Sequence, residues 1–173
     1  MLFLHPEKIL SQIDLKPDMV AADFGCGAGG FTIPLAKKLF NGIVYAIDIQ
    51  EEPLSALLGA ARSEGLVNIK TIVGDLEKPR GSQLPDNILD LVIIANLLFQ
   101  VEDKKAVLDE AKRVLKPKGR VLIIDWEKDS PFGPAQERVS SDSVVQLAQR
   151  QGFVLVKEID AGNYHWGILF ESK

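Results

Sequence analysis

The chain reads as an α/β protein: a three-layer, doubly wound and mostly parallel seven-stranded sheet with a C-terminal antiparallel hairpin. Three observations predict it. Five short apolar runs alternate with helical spacings, the pattern of a parallel sheet covered on both faces. The runs are brief and bounded by Gly, Pro and polar breakers, which suits buried strands and not helices. A further helix and two more apolar runs close the chain, with the hairpin signal Ala161-Gly162-Asn163 between them. A length of 173 residues fits one domain, expected over 1–173, with no repeat or low-complexity segment.

The elements follow in order. Pro6 opens an apolar spacing through Ile9, Leu10 and Ile13, and the segment 1–18 is expected to form a helical lid across a ligand's mouth. Met19 to Ala22 is the first strand. It runs through Asp23 into Gly25-Cys26-Gly27-Ala28-Gly29-Gly30, and Phe31 to Phe40 is the next helix, ended by Asn41-Gly42 with the glycine able to take a left-handed cap. Strand, glycine turn, helix lets a ligand lie on bare backbone at a helix N-terminus, because Gly25, Gly27 and Gly29 can take φ > 0 and carry no Cβ. Asp23, at the strand's end, can receive a cationic group of that ligand.

Ile43 to Ile47 is the second strand and Asp48 closes it. That acid stands about 20 residues past the glycines, where a carboxylate accepts hydrogen bonds from ribose hydroxyls. Ile49 beside it can lie flat on an adenine ring. Pro53 to Glu64 is a helix stopped by Gly65, and Ile69 to Val73 the third strand, ending in Gly74-Asp75-Leu76. Asp75 can accept the adenine amino group and the next N–H can donate to the ring; Asp75 capping a turn is the plainer alternative. Three successive strands thus end in an acid.

Glu77 to Asn87 reads as a loop with at most one helical turn, and Leu89 to Ala95 as the fourth strand leading into Asn96-Leu97-Leu98-Phe99. Glu102 to Leu115 is a helix, Lys116-Pro117-Lys118-Gly119 a turn, and Arg120 to Ile124 the fifth strand, finished by Asp125-Trp126. Trp126 to Ser140 is the longest irregular stretch, and a loop of that length is often functional. Asp142 or a neighbouring serine caps a helix through Gln151, followed by strands Phe153 to Ile159 and His165 to Phe170.

Composition excludes several classes. Lys+Arg 20 against Asp+Glu 24 gives a net charge of −4, so overall charge attracts neither nucleic acid nor an anionic membrane. The single Cys26 excludes an intramolecular disulfide and a multi-thiolate metal site, and in the turn it reads as a small residue and not a nucleophile. No run suits a signal peptide or a membrane span, so the expected location is cytoplasmic.

Two glycine fingerprints overlap. Gly25-x-Gly27-x-x-Gly30 satisfies the dinucleotide pattern, while Asp23-x-Gly25-x-Gly27-x-Gly29 resembles motif I of the class I S-adenosylmethionine-dependent methyltransferases. The strand–helix order over nearly the whole chain resembles that Rossmann-like family too, most of all the small bacterial ubiquinone/menaquinone-biosynthesis-type enzymes. L-K-P-K-G-R before the fifth strand resembles their L-K-P-G-G turn with Lys118 for one glycine, and P-F-G-P-A-Q-E-R-V-S resembles a segment found in many of them.

The resemblance implies S-adenosylmethionine as cofactor, with S-adenosylhomocysteine as product. Asp23, Gly25, Cys26, Gly27 and Gly29 would lie along its methionine part, Asp48 and Ile49 at the ribose and adenine, and Asp75 and Leu76 at the adenine edge. Asn96, with Leu97 nearby, would contact the methionine moiety and border the acceptor site. The fourth strand ends in Ala95-Asn96 and not in the acid of metal-dependent catechol-type enzymes, so no metal is expected. The reaction implied is in-line methyl transfer to a small-molecule acceptor, with no nucleic-acid partner. Candidates for a general base are His5, Glu127, Glu137 and His165, and the sequence ranks none of them. Two other readings stand beside it: a non-catalytic S-adenosylmethionine-binding module, and an NAD-dependent oxidoreductase using the dinucleotide pattern.

Overall fold

A computed structural model describes residues 4–134 and 138–173. Its sheet has seven strands in the order β3-β2-β1-β4-β5-β7-β6. The strands are β1 (Val20–Phe24), β2 (Ile43–Asp48), β3 (Ile69–Val73), β4 (Leu89–Ala95), β5 (Leu115–Trp126), β6 (Phe153–Glu158) and β7 (His165–Ser172). β1 to β5 pair in parallel, and β7 runs antiparallel to both β5 and β6. The helices are α1 (Pro6–Leu10), α2 (Thr32–Lys38), α3 (Glu51–Ser63), α4 (Lys104–Val114) and α5 (Ser141–Arg150).

Alternation along the central strands divides the core in two. Ala22, Phe24, Val92, Ile94, Val121 and Ile123 pack under α4 and α5. Ala21, Leu91, Ile93, Leu122 and Ile124 pack under α1 and α2 on the other face, and Leu54 and Leu57 of α3 close on Ala46 and Cys26. Because β1 lies between β2 and β4, the chain leaves β1 in opposite directions on its two sides. That switch point opens a crevice at the carboxyl ends of the strands.

Several boundaries differ from those the sequence predicts. β1 continues through Phe24, so Asp23 lies within the strand, paired with Ala46 and Ile93. α2 stops at Lys38, and Gly42 is not left-handed; it is a glycine because a Cβ there would lie 1.9 Å from the Met19 carbonyl oxygen. α3 begins at Glu51, two residues before Pro53, where acids suit the positive helix end. α4 begins after its cap, Asp103, whose carboxylate accepts from Ala106 N–H at 2.9 Å. Lys116 to Gly119 belongs to β5 as an irregularity after the Leu89–Leu115 pair, with Lys118 at φ +63°. Ser140 is the cap of α5.

Candidate functional site

The glycine turn is pinned to β2. Gly25 and Cys26 donate their N–H groups to the Ile47 carbonyl at 2.8 and 3.1 Å. Asp48 Oδ2 accepts from Gly27 N–H at 2.9 Å, while its Oδ1 accepts from Gln50 N–H at 3.0 Å. Gly25, Gly27 and Gly29 have φ of +70°, +50° and +93°. A Cβ at Gly27 would meet nothing within 4 Å, so the turn presents bare backbone to open space.

The two overlapping fingerprints separate here. In the dinucleotide pattern the third glycine permits close helix–strand packing. Gly30 does no such work: its φ is not positive, and a Cβ on it would meet nothing within 4 Å. Gly29 is demanded twice over, by its φ and by Leu57 Cδ1, which would lie 2.2 Å from a Cβ. The structure therefore uses Asp-x-Gly-x-Gly-x-Gly.

Two cavities flank the turn, and Gly25 lines both. One, of about 270 Å³, lies among Gly27, Asp48, Ile49, Asp75, Leu76 and Leu97. Ile49 is 63% exposed beside it, an apolar platform with nothing on top. Asp75 Oδ1 accepts from Glu77 N–H at 3.0 Å, so this acid does cap a turn while it lines the cavity. The other cavity, of about 430 Å³, lies among Leu4, Asp23, Cys26, Phe31, Ala95 and Asn96.

Charge and strain concentrate in that second cavity. Asp23 is buried and takes a hydrogen bond from the Thr32 hydroxyl at 2.6 Å. Burial, opposed by that bond, raises its pKa from 3.8 to about 6. Burial beside Asp23 and Asp48 pushes the Cys26 thiol far up, so it stays protonated and is no nucleophile. Asn96 sits at φ +53°, held there by its N–H to the Ile124 carbonyl at 2.9 Å, and its buried Oδ1 has no partner. An orphaned acceptor on a strained residue is the mark of a group waiting for a ligand's donor. Acid, orphan oxygen, apolar platform and bare backbone fit an elongated nucleoside carrying a cationic end.

Ten of the eleven predicted binding residues line these two cavities. Gly29 lines a neighbouring one of about 450 Å³ with His5 and Ala28. His5 is exposed at the start of α1, and Leu4 and Pro6 of the expected lid segment do reach the Asn96 cavity. Glu127 is exposed just beyond β5, and Glu137 lies outside the described residues. His165 is buried against Trp126. Among the described residues no group of three or more His, Cys, Asp or Glu could hold a metal ion.

Sequence reasoning missed two residues. Asp125 is buried, raised to about 6 by desolvation, and accepts from Phe99 N–H at 3.2 Å, tying β5 to the segment after Asn96. Arg138 donates to the carbonyls of Glu127, Ser130 and Phe132 at 3.0, 2.7 and 2.9 Å, gathering the loop after β5. An acid near the end of the fifth strand was visible as a signal; Arg138's carbonyl partners leave none.

Comparison with known proteins gives the family. Residues 15–164 match the family model described as a methyltransferase domain. A demethylmenaquinone methyltransferase of Geobacillus stearothermophilus is 32% identical over 127 residues, 72% of this chain and 53% of that protein. Phosphoethanolamine N-methyltransferase 3 of Arabidopsis thaliana is 31% identical over 76% of this chain and 26% of its own. The chain thus spans about half, or less, of the curated relatives it matches. The crystal structure of a SAM-dependent methyltransferase from Aquifex aeolicus superposes with a TM-score of 0.89 at 31% identity, covering 99% of this chain and 91% of that one.

Proposed function

The chain belongs to the methyltransferase-domain family, and from that premise we propose that it binds S-adenosylmethionine along the glycine turn and catalyses methyl transfer to a small molecule. The observation that carries the reading is the pair of cavities joined at Gly25, one shaped for a nucleoside and one holding Asp23 and the orphaned Asn96 Oδ1. In this reading Asp48 takes the ribose hydroxyls, Ile49 lies under the adenine, and Asp75 with the Leu76 N–H reads its edge. Asp23 faces the ammonium of the methionine end, with the backbone of Gly25 to Gly29 and the side of Cys26 along it. Asn96 and Leu97 border the acceptor.

The cofactor supplies a sulfonium methyl that is already strongly electrophilic. What remains for the protein is to orient an acceptor in line and exclude water, and positioning of this kind can lower a barrier by about 7–11 kcal/mol. The apolar half of the Asn96 cavity, with Leu4, Phe31 and Ala95, suits that task. The relatives named for demethylmenaquinone and for phosphoethanolamine support a small acceptor. Their acceptors differ in chemistry, so the names do not select one here.

Calorimetric titration of S-adenosylmethionine, S-adenosylhomocysteine and NADH into wild type and Asp48→Ala tests this. The first two should bind and NADH should not. Asp48→Ala removes charge-assisted hydrogen bonds of about 1.5–3 kcal/mol each and the clamp on Gly27, so affinity should fall at least about tenfold. Folded protein that binds neither adenosyl compound would sink the proposal.

A further inference from the structure

Glu110 is a buried acid on α4 to which the proposed function gives no part. Its Oε1 accepts from the Ser82 N–H at 3.0 Å, from the Ser82 hydroxyl and from Arg113 Nη2 at 2.6 Å. Its Oε2 accepts from Arg113 Nε at 2.8 Å. Burial acts to raise its pKa, but the bonds from Arg113 and Ser82 outweigh that and hold the carboxyl below its ordinary value, as an anion. Arg113 Nη1 also donates to the Leu84 carbonyl at 2.9 Å and to Asp86. One acid–arginine pair of α4 therefore grips the loop between β3 and β4 at Ser82, Leu84 and Asp86.

That loop is strained. Arg80, Gln83 and Asn87 stand at φ +57°, +59° and +56°, which side-chain-bearing residues keep only where their surroundings hold them. The turn folds back on the end of β3. A Cβ on Gly81 would lie 1.7 Å from the Asp75 carbonyl oxygen, and one on Gly74 would lie 2.2 Å from the Gly81 carbonyl oxygen. The peptide joining Gly81 to Ser82 thus gives its N–H to Glu110 and sets its carbonyl against Gly74. Gln83 Nε2 donates to the Val73 carbonyl at 2.7 Å, and the Asp103 N–H at the start of α4 donates to Glu77 Oε1 at 2.6 Å. Gly74, Asp75, Leu76 and Glu77 line the cavity that contains Ile49.

We propose that Glu110 is a positioning residue: through the Gly81–Ser82 peptide it holds Asp75 and the Leu76 N–H at the edge of the adenine, and so sets the preference for a 6-aminopurine. This rests on the methyltransferase reading above. Telling an amino group from a carbonyl needs an acceptor held to within about 0.5 Å by its supporting groups. The bond from Glu77 N–H fixes the Asp75 carboxylate only within its own turn. The backbone of that turn is fixed from outside by the Gly81–Ser82 peptide, and bonds from this peptide and the Ser82 hydroxyl to an anion are of the strong, charge-assisted kind. A glutamine at position 110 keeps the size but has one oxygen where the carboxylate has two, and sets an N–H against Arg113.

Calorimetric titration of S-adenosylhomocysteine against S-inosylhomocysteine, in which a carbonyl replaces the 6-amino group, reads that preference directly. Wild type should favour the adenosyl compound by about tenfold or more, since the carbonyl turns a lone pair on Asp75. Glu110→Gln should narrow the preference at least about threefold, by weakening the adenosyl compound and sparing the inosyl one. Ser82→Ala, which removes one of the bonds to Glu110, should narrow it in the same direction and decides the matter if Glu110→Gln does not fold. Val107→Ala, which loosens the same helix from the core, should lower the thermal midpoint and leave the preference unchanged. A wild-type preference in the folded variants, or an equal loss for both compounds, would overturn the proposal, since either marks a purely structural carboxylate. So would a narrowing as large in Val107→Ala, or wild type that binds both compounds equally. Wild type that binds neither refutes instead the methyltransferase reading.

Discussion

Gly29 and Gly30 are neighbours with opposite requirements, and substituting each by alanine tests which fingerprint the turn uses. At Gly29 an L-residue is forced to φ +93°, a strain of about 1–3 kcal/mol. Its Cβ also drives into Leu57, which is fully buried and must shift, adding roughly 1–3 kcal/mol of overpacking. In a domain of this size each kcal/mol moves the thermal midpoint by roughly 2–4 °C, so Gly29→Ala should lower it on the order of 10 °C. Gly30→Ala meets open space at ordinary φ and restricts the unfolded chain, for a gain of up to about 1 kcal/mol. Thermal denaturation of the two variants, side by side, reads the difference. A Gly30→Ala as damaging as Gly29→Ala, or a Gly29→Ala shifted less than about 2 °C, would refute the geometry and return the dinucleotide pattern to consideration.

Two further outcomes follow from strain and charge. Lys118 holds φ +63°, so Lys118→Gly should stabilise the protein by about 0.5 kcal/mol, the relief of left-handed strain less the freedom glycine adds to the unfolded chain; a loss in midpoint would show that the lysine side chain has a role of its own. Asp23 has its folded pKa raised from 3.8 to about 6, so its contribution to stability is full below about pH 4 and falls as pH rises to 6, by roughly 3 kcal/mol. Asp23→Asn should therefore gain stability over wild type between pH 4 and pH 7 in urea titrations, while losing S-adenosylmethionine affinity. A pH-independent difference between the two would mean that Asp23 is not held protonated by burial.

The strands were legible because their signal is local. A run such as Leu89 to Ala95 is buried on both faces and reads as continuous apolar sequence wherever the strand sits in the sheet. The boundaries that slipped did so where a tertiary neighbour decided. Gly42 has the local look of a helix cap, yet its glycine answers the carbonyl of Met19, just before β1. Pro53 is the stronger local mark of a helix start, yet α3 begins at Glu51, where the acids Glu51 and Glu52 suit the positive end of the helix.

The same division runs through the site. Sequence alone determined the glycine turn, the acids after successive strands and the candidate histidines, since turn chemistry and strand ends are written in adjacent residues. Only the tertiary structure distinguished Gly29 from Gly30, because Leu57 comes from the next helix but one in the layer. Only the strand order joined two cavities at Gly25, and only the antiparallel register of β5 and β7 set His165 on Trp126 with both nitrogens unpaired. Local preferences say what a segment can become. Which buried groups meet, and which are left without a partner, depends on residues distant in the chain, whose pairing no periodicity records.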